Sequence, residues 1–301
     1  MRYLIIMFSV LLASCGESSN HQKTSYLSST PITTQDYQLH KAQNQKALLI
    51  VFPCFPCDAQ NTYNEFNIVD ISLKNNISVL LLNFNMHLSL SNQEKINISN
   101  LITETIKSNN LPSENIFLGG FSGGGNVTLL MTNYLIETKN KIQPKGAFIV
   151  DAPIDLVQLY TTAKSNIADD FSEVSVEEAR WIVNLFDSEF GNPDTSMNNY
   201  IQHSPYITNS HSLKNVRSLK NLKLRFYTEP DTTWWRENRH VTYEQMNAFA
   251  IQNLALDLEQ IGAKKVEYIT TQNKGFRANG DRHPHSWSIV DTPDLIQWIL
   301  E

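Results

Sequence analysis

A doubly wound, mostly parallel α/β sheet carrying a helical cap insertion is the fold class that this sequence predicts. Three observations predict it. Short apolar runs of strand length alternate along the chain with stretches of helical periodicity, the rhythm that lays strands parallel with helices on both faces. A glycine-rich turn, Gly119-Gly120-Phe121-Ser122-Gly123-Gly124-Gly125, lies between one such run and one such helix. Residues 156–215 carry helical signal but no strand signal, and break the rhythm once.

The elements follow in order. Residues 46–52 (KALLIVF) form an apolar run stopped by Pro53, too short for a buried helix and suited to a strand covered on both faces. Residues 62–75 read as one helix, and 77–84 (ISVLLLNF) as a second strand. Ile98, Leu101, Ile102 and Ile106 have helical spacing, closed by Pro112. Residues 116–118 give a third strand, and Val127, Leu130, Met131, Tyr134 and Leu135 the apolar face of the helix after it. Residues 147–150 supply a fourth strand, Leu222, Leu224 and Phe226 a fifth, and 266–269 a sixth. A stripe from Tyr243 through Met246, Ala250, Leu254 and Leu258 stops at Gly262, a residue suited to a left-handed cap. Pro293 opens the last helix. Inside the insertion a helix is expected from Ser175, with Glu178 completing a capping box and Ile182, Leu185 and Phe186 as its apolar face, ending at Gly191.

Composition narrows the function classes. The chain has 301 residues, 41% hydrophobic and 18% charged, enough for one large core. Its net charge of −6, without a block of Lys and Arg, lacks the basic footprint of a nucleic-acid binder. Mean hydropathy is −0.30, and no apolar run reaches the roughly 18 residues needed to span a bilayer. Three cysteines exclude a disulfide-dense scaffold.

The first residues read as an address. Met1-Arg2-Tyr3 carries one positive charge, and 4–13 is an apolar stretch too short to cross a membrane. It ends in Leu12-Ala13-Ser14-Cys15, which resembles the bacterial lipobox. That resemblance implies a lipoprotein signal peptide over 1–14, lipidation of Cys15, and anchorage at a membrane surface of the cell envelope, with an outer membrane as the expected site. Residues 15–36 are polar and read as a flexible tether, so the globular domain is expected to span 37–301.

Gly120-Phe121-Ser122-Gly123-Gly124 fits G-x-S-x-G, and its setting is what the motif demands: an apolar strand before it and an amphipathic helix after it. Ser122 would stand on a tight turn at the C-terminal edge of the sheet, at a helix N-terminus that favours developing negative charge. A phosphate cradle would want a Lys after the glycines, and Asn126-Val127-Thr128 supplies none. On this motif and its context the chain resembles the α/β-hydrolase superfamily over about residues 45–301.

The resemblance implies a Ser-acid-His order along the chain. The histidine belongs in the loop after the last strand, where Arg282-His283-Pro284-His285-Ser286-Trp287 offers His285 as the first choice and His283 as the alternate. The acid is expected after the fifth strand at Asp231, with Asp151, at the end of the fourth, as its competitor; Asp151 and Asp155 can equally cap the segment that follows them. The oxyanion hole is implied at the backbone N–H groups of Phe55 and Gly123. Here Pro53-Cys54-Phe55-Pro56-Cys57 departs from the family's His- and Gly-containing run. The pair Cys54 and Cys57 is read as a structural disulfide that stiffens this loop, with two free thiols as the alternative; a thioredoxin-like site would leave Ser122 unexplained. Trp234 and Trp235, followed by Arg236 and Arg239, are read as a substrate wall meeting a polar or anionic group, or as plain loop packing. Trp181, Phe186 and Phe190 line an acyl pocket or make the cap's own core.

The expectation is a serine hydrolase that cleaves small carboxylic esters through an acyl-enzyme, needing no cofactor and no metal. A peptidase or acyltransferase on the same triad is one alternative. A catalytically silent, ligand-binding envelope lipoprotein is another.

Overall fold

The computed structural model describes residues 30–84 and 86–301. The expected signal segment, Cys15 and the tether as far as residue 29 lie outside the described residues. The elements are Ile32–Thr33 (β1), Tyr37–His40 (β2), Ala47–Phe52 (β3), Ala59–Glu65 (α1), Val69–Lys74 (α2), Ile77–Leu82 (β4), Asn92–Asn109 (α3), Ile116–Phe121 (β5), Gly123–Glu137 (α4), Pro144–Val150 (β6), Leu156–Asp169 (α5), Glu173–Glu189 (α6), Pro193–His203 (α7), Lys223–Thr228 (β7), Thr232–Arg239 (α8), Asn247–Gln260 (α9), Val266–Thr270 (β8) and Thr292–Leu300 (α10). The strands form one sheet in the order β1-β2-β4-β3-β5-β6-β7-β8. β1 and β2 join antiparallel at one edge, and every pairing from β4 to β8 is parallel.

The central strands are buried along their whole length because both faces are covered. Alternation sorts their side chains. Leu49 and Val51 of β3 pack on one face with Val79, Leu81, Trp287 and Trp298, while Leu48 and Ile50 pack on the other with Leu80, Leu118, Val127 and Met131. α5, α6 and α7 form the cap between β6 and β7. They bury a core of their own, with Phe186, Phe190, Tyr160 and Tyr200 at its centre.

Four local expectations change. Ile32 and Thr33 pair with Leu39 and Gln38, so the end of the stretch read as tether is an edge strand. The helix expected over 62–75 is two: the backbone turns extended at Phe66 (φ −114°, ψ 102°), which buries its ring against Trp287 at 4.1 Å. α6 begins at Glu173 rather than Ser175, because the Ser172 hydroxyl caps it by accepting the Ser175 N–H at 3.3 Å. The stripe from Tyr243 to Leu258 opens as a separate short turn over 243–245, and α9 starts only at Asn247.

Candidate active site

Ser122 stands alone between the last residue of β5 and the first of α4, with φ 54° and ψ −128°. Such a conformation costs a non-glycine residue energy and persists only where its surroundings fix it. Here the Ser122 N–H donates to Val150 O at 2.9 Å and the Gly125 N–H donates to Ser122 O at 2.9 Å. The turn closes because two glycines let backbone pass backbone. A Cβ on Gly120 would run into Gly124 O, and a Cβ on Gly124 into Pro53 O. Asn126, in the first turn of α4, is buried and donates to Leu88 O and Pro153 O at 3.0 and 2.9 Å, tying the elbow to the strands' outgoing loops.

His285 shares a cavity of about 280 Å3 with Ser122. Its Nδ1 lies 2.6 Å from Oδ2 of Asp151. An ionised carboxylate can only accept, so Nδ1 carries the proton and Nε2 is left as an acceptor. Asp151 follows β6 directly and takes a positive φ of 41°. Its N–H donates to Tyr227 O at 2.8 Å, and its carbonyl accepts from Asn247 Nδ2 at 2.9 Å. No hydrogen bond joins Ser122 Oγ to His285.

The structure therefore pairs His285 with Asp151 and not with Asp231. Both carboxylate oxygens of Asp231 are engaged elsewhere. Oδ1 caps α8 by accepting the Trp234 N–H at 3.0 Å, and Oδ2 meets Arg282 Nη2 at 2.7 Å. The capping role considered for Asp151 belongs to Asp155, which accepts from the Val157 and Gln158 N–H groups at the start of α5.

Glu229, the first residue after β7, anchors the histidine loop. It is 3% exposed. Its Oε2 accepts from Thr271 Oγ1, Lys274 N–H and Gly275 N–H at 2.8, 2.9 and 3.1 Å. Its Oε1 lies 2.5 Å from Arg282 Nη2, an ion-pair contact without the alignment of a hydrogen bond. His283 faces the same cavity, but its Nδ1 accepts the His285 N–H at 3.2 Å. Burial, followed by the electrostatic influence of the neighbouring His285 and of Arg277, Arg239 and Arg282, pushes its pKa down to about 3, so it stays neutral. It braces His285.

The two residues expected to supply an oxyanion hole are neighbours in space. A Cβ on Gly123 would lie 3.2 Å from Phe55 Cβ. Gly123 opens α4, where an N–H has no intrahelical acceptor. Neither its N–H nor that of Phe55 donates to an acceptor among the described residues. Cys54 and Cys57 are joined by a disulfide, and the Cys57 N–H donates to Cys54 O at 2.9 Å, closing the turn that presents Phe55. Cys54 needs no positive φ there, so the missing glycine does not strain the loop.

The cap roofs the cavity through Trp181, whose ring lies 4.7 Å from that of Phe55. Phe186 and Phe190 belong to the cap's core. Of the tryptophan pair, Trp235 lines the cavity, whereas Trp234 packs on His283 at 4.7 Å. Arg239 lines it and Arg236 is exposed on α8. Arg277 also lines it, and no sequence signal pointed to that residue.

No protein-family model matches the sequence, and no curated protein matches it. Solved structures do. Carboxyl esterase 2 from the mycorrhizal fungus Tuber melanosporum matches with a TM-score of 0.56 at 13% identity, over 94% of this chain and 88% of that one. The fluorophosphonate-binding serine hydrolase F of Staphylococcus aureus matches with a TM-score of 0.50 at 13% identity, over 92% and 96%. Acylaminoacyl peptidase from Pyrococcus horikoshii matches with a TM-score of 0.55 at 15% identity, over 92% of this chain but only 42% of that protein's chain. At these identities the likeness speaks for architecture. With its mostly parallel eight-stranded sheet, flanking helices and strand-to-helix elbow, the chain has the α/β-hydrolase fold.

Proposed function

We propose that this chain is a serine hydrolase that cleaves carboxylic esters, with Ser122 as nucleophile, His285 as general base and acid, and Asp151 as the group that orients His285. The observation that carries the reading is the Asp151–His285 pair at 2.6 Å, opening onto the cavity in which Ser122 is held at a strained elbow. A serine hydroxyl is a weak nucleophile until a neighbouring base takes its proton. Ser122 Oγ attacks the ester carbonyl as His285 Nε2 accepts the hydroxyl proton, and Asp151 stabilises the imidazolium that forms. The carbonyl oxygen becomes an oxyanion, received by the N–H groups of Phe55 and Gly123; each such donor is typically worth about 3 kcal/mol in the transition state. Collapse expels the alcohol, which takes its proton from His285. Water, deprotonated by the same nitrogen, then releases the acid and restores Ser122. The esterase and serine hydrolase named among the structural neighbours agree with this reading.

The test is labelling of the folded protein with a fluorophosphonate, followed by peptide mapping, with Ser122→Ala and His285→Ala run alongside. Label on Ser122 that disappears in both variants, together with turnover of a simple ester, is the expected result. A folded wild-type chain that takes no label would overturn the proposal.

A further inference from the structure

Among the described residues, Arg277 is the one charged side chain lining the cavity that makes neither a side-chain hydrogen bond nor a close ion pair. Its guanidinium offers five N–H donors in a planar fork. None of them meets a protein acceptor, and no carboxylate lies within ion-pair distance of it, among the described residues. The carboxylates beside the histidine loop are engaged with other groups. Asp151 is held by His285, Glu229 by Arg282 and the loop's N–H groups, and Asp231 by Arg282 and the α8 cap. Glu178 stands 3.6 Å from Arg239 and is itself largely exposed. Glu65, whose field reaches Arg277, accepts the Ala278 N–H through Oε2 at 3.0 Å and stands outside ion-pair distance of the guanidinium.

Its place is close to the reacting centre. The guanidinium carbon lies 6.0 Å from the ring of Phe121, the residue immediately before Ser122, and the Phe121 ring lies 4.4 Å from that of His285. Arg239 lines the same cavity and adds a second positive charge to the field there. A partly buried cation with unused donors is costly to leave unpaired. A carboxylate or phosphate from the substrate would satisfy it bidentately.

Building on the esterase reading, we infer that the preferred substrates are esters bearing an anionic group, a carboxylate or a phosphate, a short distance from the scissile bond, and that Arg277 receives that group. Arg277 is then a specificity residue, touching the substrate away from the bond that breaks.

The test uses matched esters that differ only in charge. Monoethyl succinate against ethyl succinamate places the anion on the acyl side. 4-Acetoxybenzoate against 4-acetoxybenzamide places it on the alcohol side, and 4-acetoxyphenyl phosphate replaces carboxylate by phosphate. In wild type, the anionic member of at least one pair is expected to have a kcat/KM roughly tenfold or more above its neutral partner, mainly through KM. Arg277→Gln should bring that ratio close to one, and Arg277→Lys, which keeps the charge but not the fork, should give an intermediate ratio. Arg236→Gln, on the exposed side of α8, should leave the ratio as it is. If wild type labels at Ser122 and turns over neutral esters equally well, or if the ratio survives in Arg277→Gln, this inference falls and the esterase reading stands. If the folded protein neither labels nor turns over any ester, the reading beneath it falls as well.

Discussion

The two halves of the candidate site meet at one edge of the sheet but are held there by different physics. The Ser122 half is a steric construction. Its turn is closed by backbone passing backbone at Gly120 and Gly124, against the neighbouring Phe52–Pro53 backbone, and neutral hydrogen bonds to Val150 O, Leu88 O and Pro153 O hold it in place. The His285 half is electrostatic. A loop of irregular backbone is held to the sheet by the buried Glu229 carboxylate, by Arg282 and by Asp151, which reaches His285 across 134 residues of sequence. A steric site fails when volume is added. An electrostatic one fails when a charge is removed and its partner is left behind.

The largest expected effect comes from telling the two acids apart. Asp151→Asn removes the acceptor that fixes the His285 tautomer, and kcat should fall by on the order of 10^4, the size of loss this change produces in other serine triads. Asp231→Asn leaves His285 untouched. It can keep an oxygen for the Trp234 N–H but removes the charge from one of the two carboxylates that meet Arg282, so roughly 1 kcal/mol of stability or less should be lost, with kcat within about tenfold of wild type. Ester kinetics on the two variants, with a denaturant melt of each, decide the matter. Loss of turnover in Asp231→Asn with retention in Asp151→Asn would reverse the assignment.

Glu229→Gln tests the electrostatic half alone. The amide keeps the volume, but its nitrogen cannot accept, so either Arg282 or the Lys274 and Gly275 N–H groups lose their partner. About 2–3 kcal/mol of stability should go, since Arg282 still keeps Asp231. Limited proteolysis should open the chain between residues 271 and 286 before it cuts the elbow. An unchanged urea midpoint would mean that the carboxylate is not what holds the loop.

The same contrast explains how much of the molecule was legible in its sequence. The elbow was readable because it is contiguous: strand, glycines, serine and helix lie within residues 116–137, and each residue type has a local reason. The parallel strands were readable for the same reason, as apolar runs of the right length. The acid was not. Asp151 and Asp231 both follow strands, β6 and β7, that are neighbours in the sheet, and either could turn to the histidine loop. What separates them is which carboxylate is already claimed. The run Asp231-Thr232-Thr233-Trp234 is a helix start, and Asp is a strong helix cap, so Asp231 was spent locally. Glu229 and Arg277 had no local signature, since their roles exist only once β7 and the loop after β8 lie side by side. The split at Phe66 likewise depends on Trp287, far along the chain.

The smallest predicted effect belongs to His283 and probes how dry the electrostatic half is. Its pKa in the folded chain is about 3, burial being the main cause, against about 6.5 when unfolded. Between those values the unfolded chain binds a proton at this position and the folded chain does not, so stability rises with pH across that window and falls as the solution is acidified below about 6.5. His283→Asn keeps an acceptor for the His285 N–H and has no proton to bind. Urea unfolding of both proteins at pH 7 and pH 5 should show wild type losing about 1 kcal/mol more than the variant, a figure already discounted for partial exposure. Equal losses would mean that water reaches the His283 ring freely, and the loop that carries His285 would then owe its order to Glu229 and Asp151 rather than to exclusion of solvent.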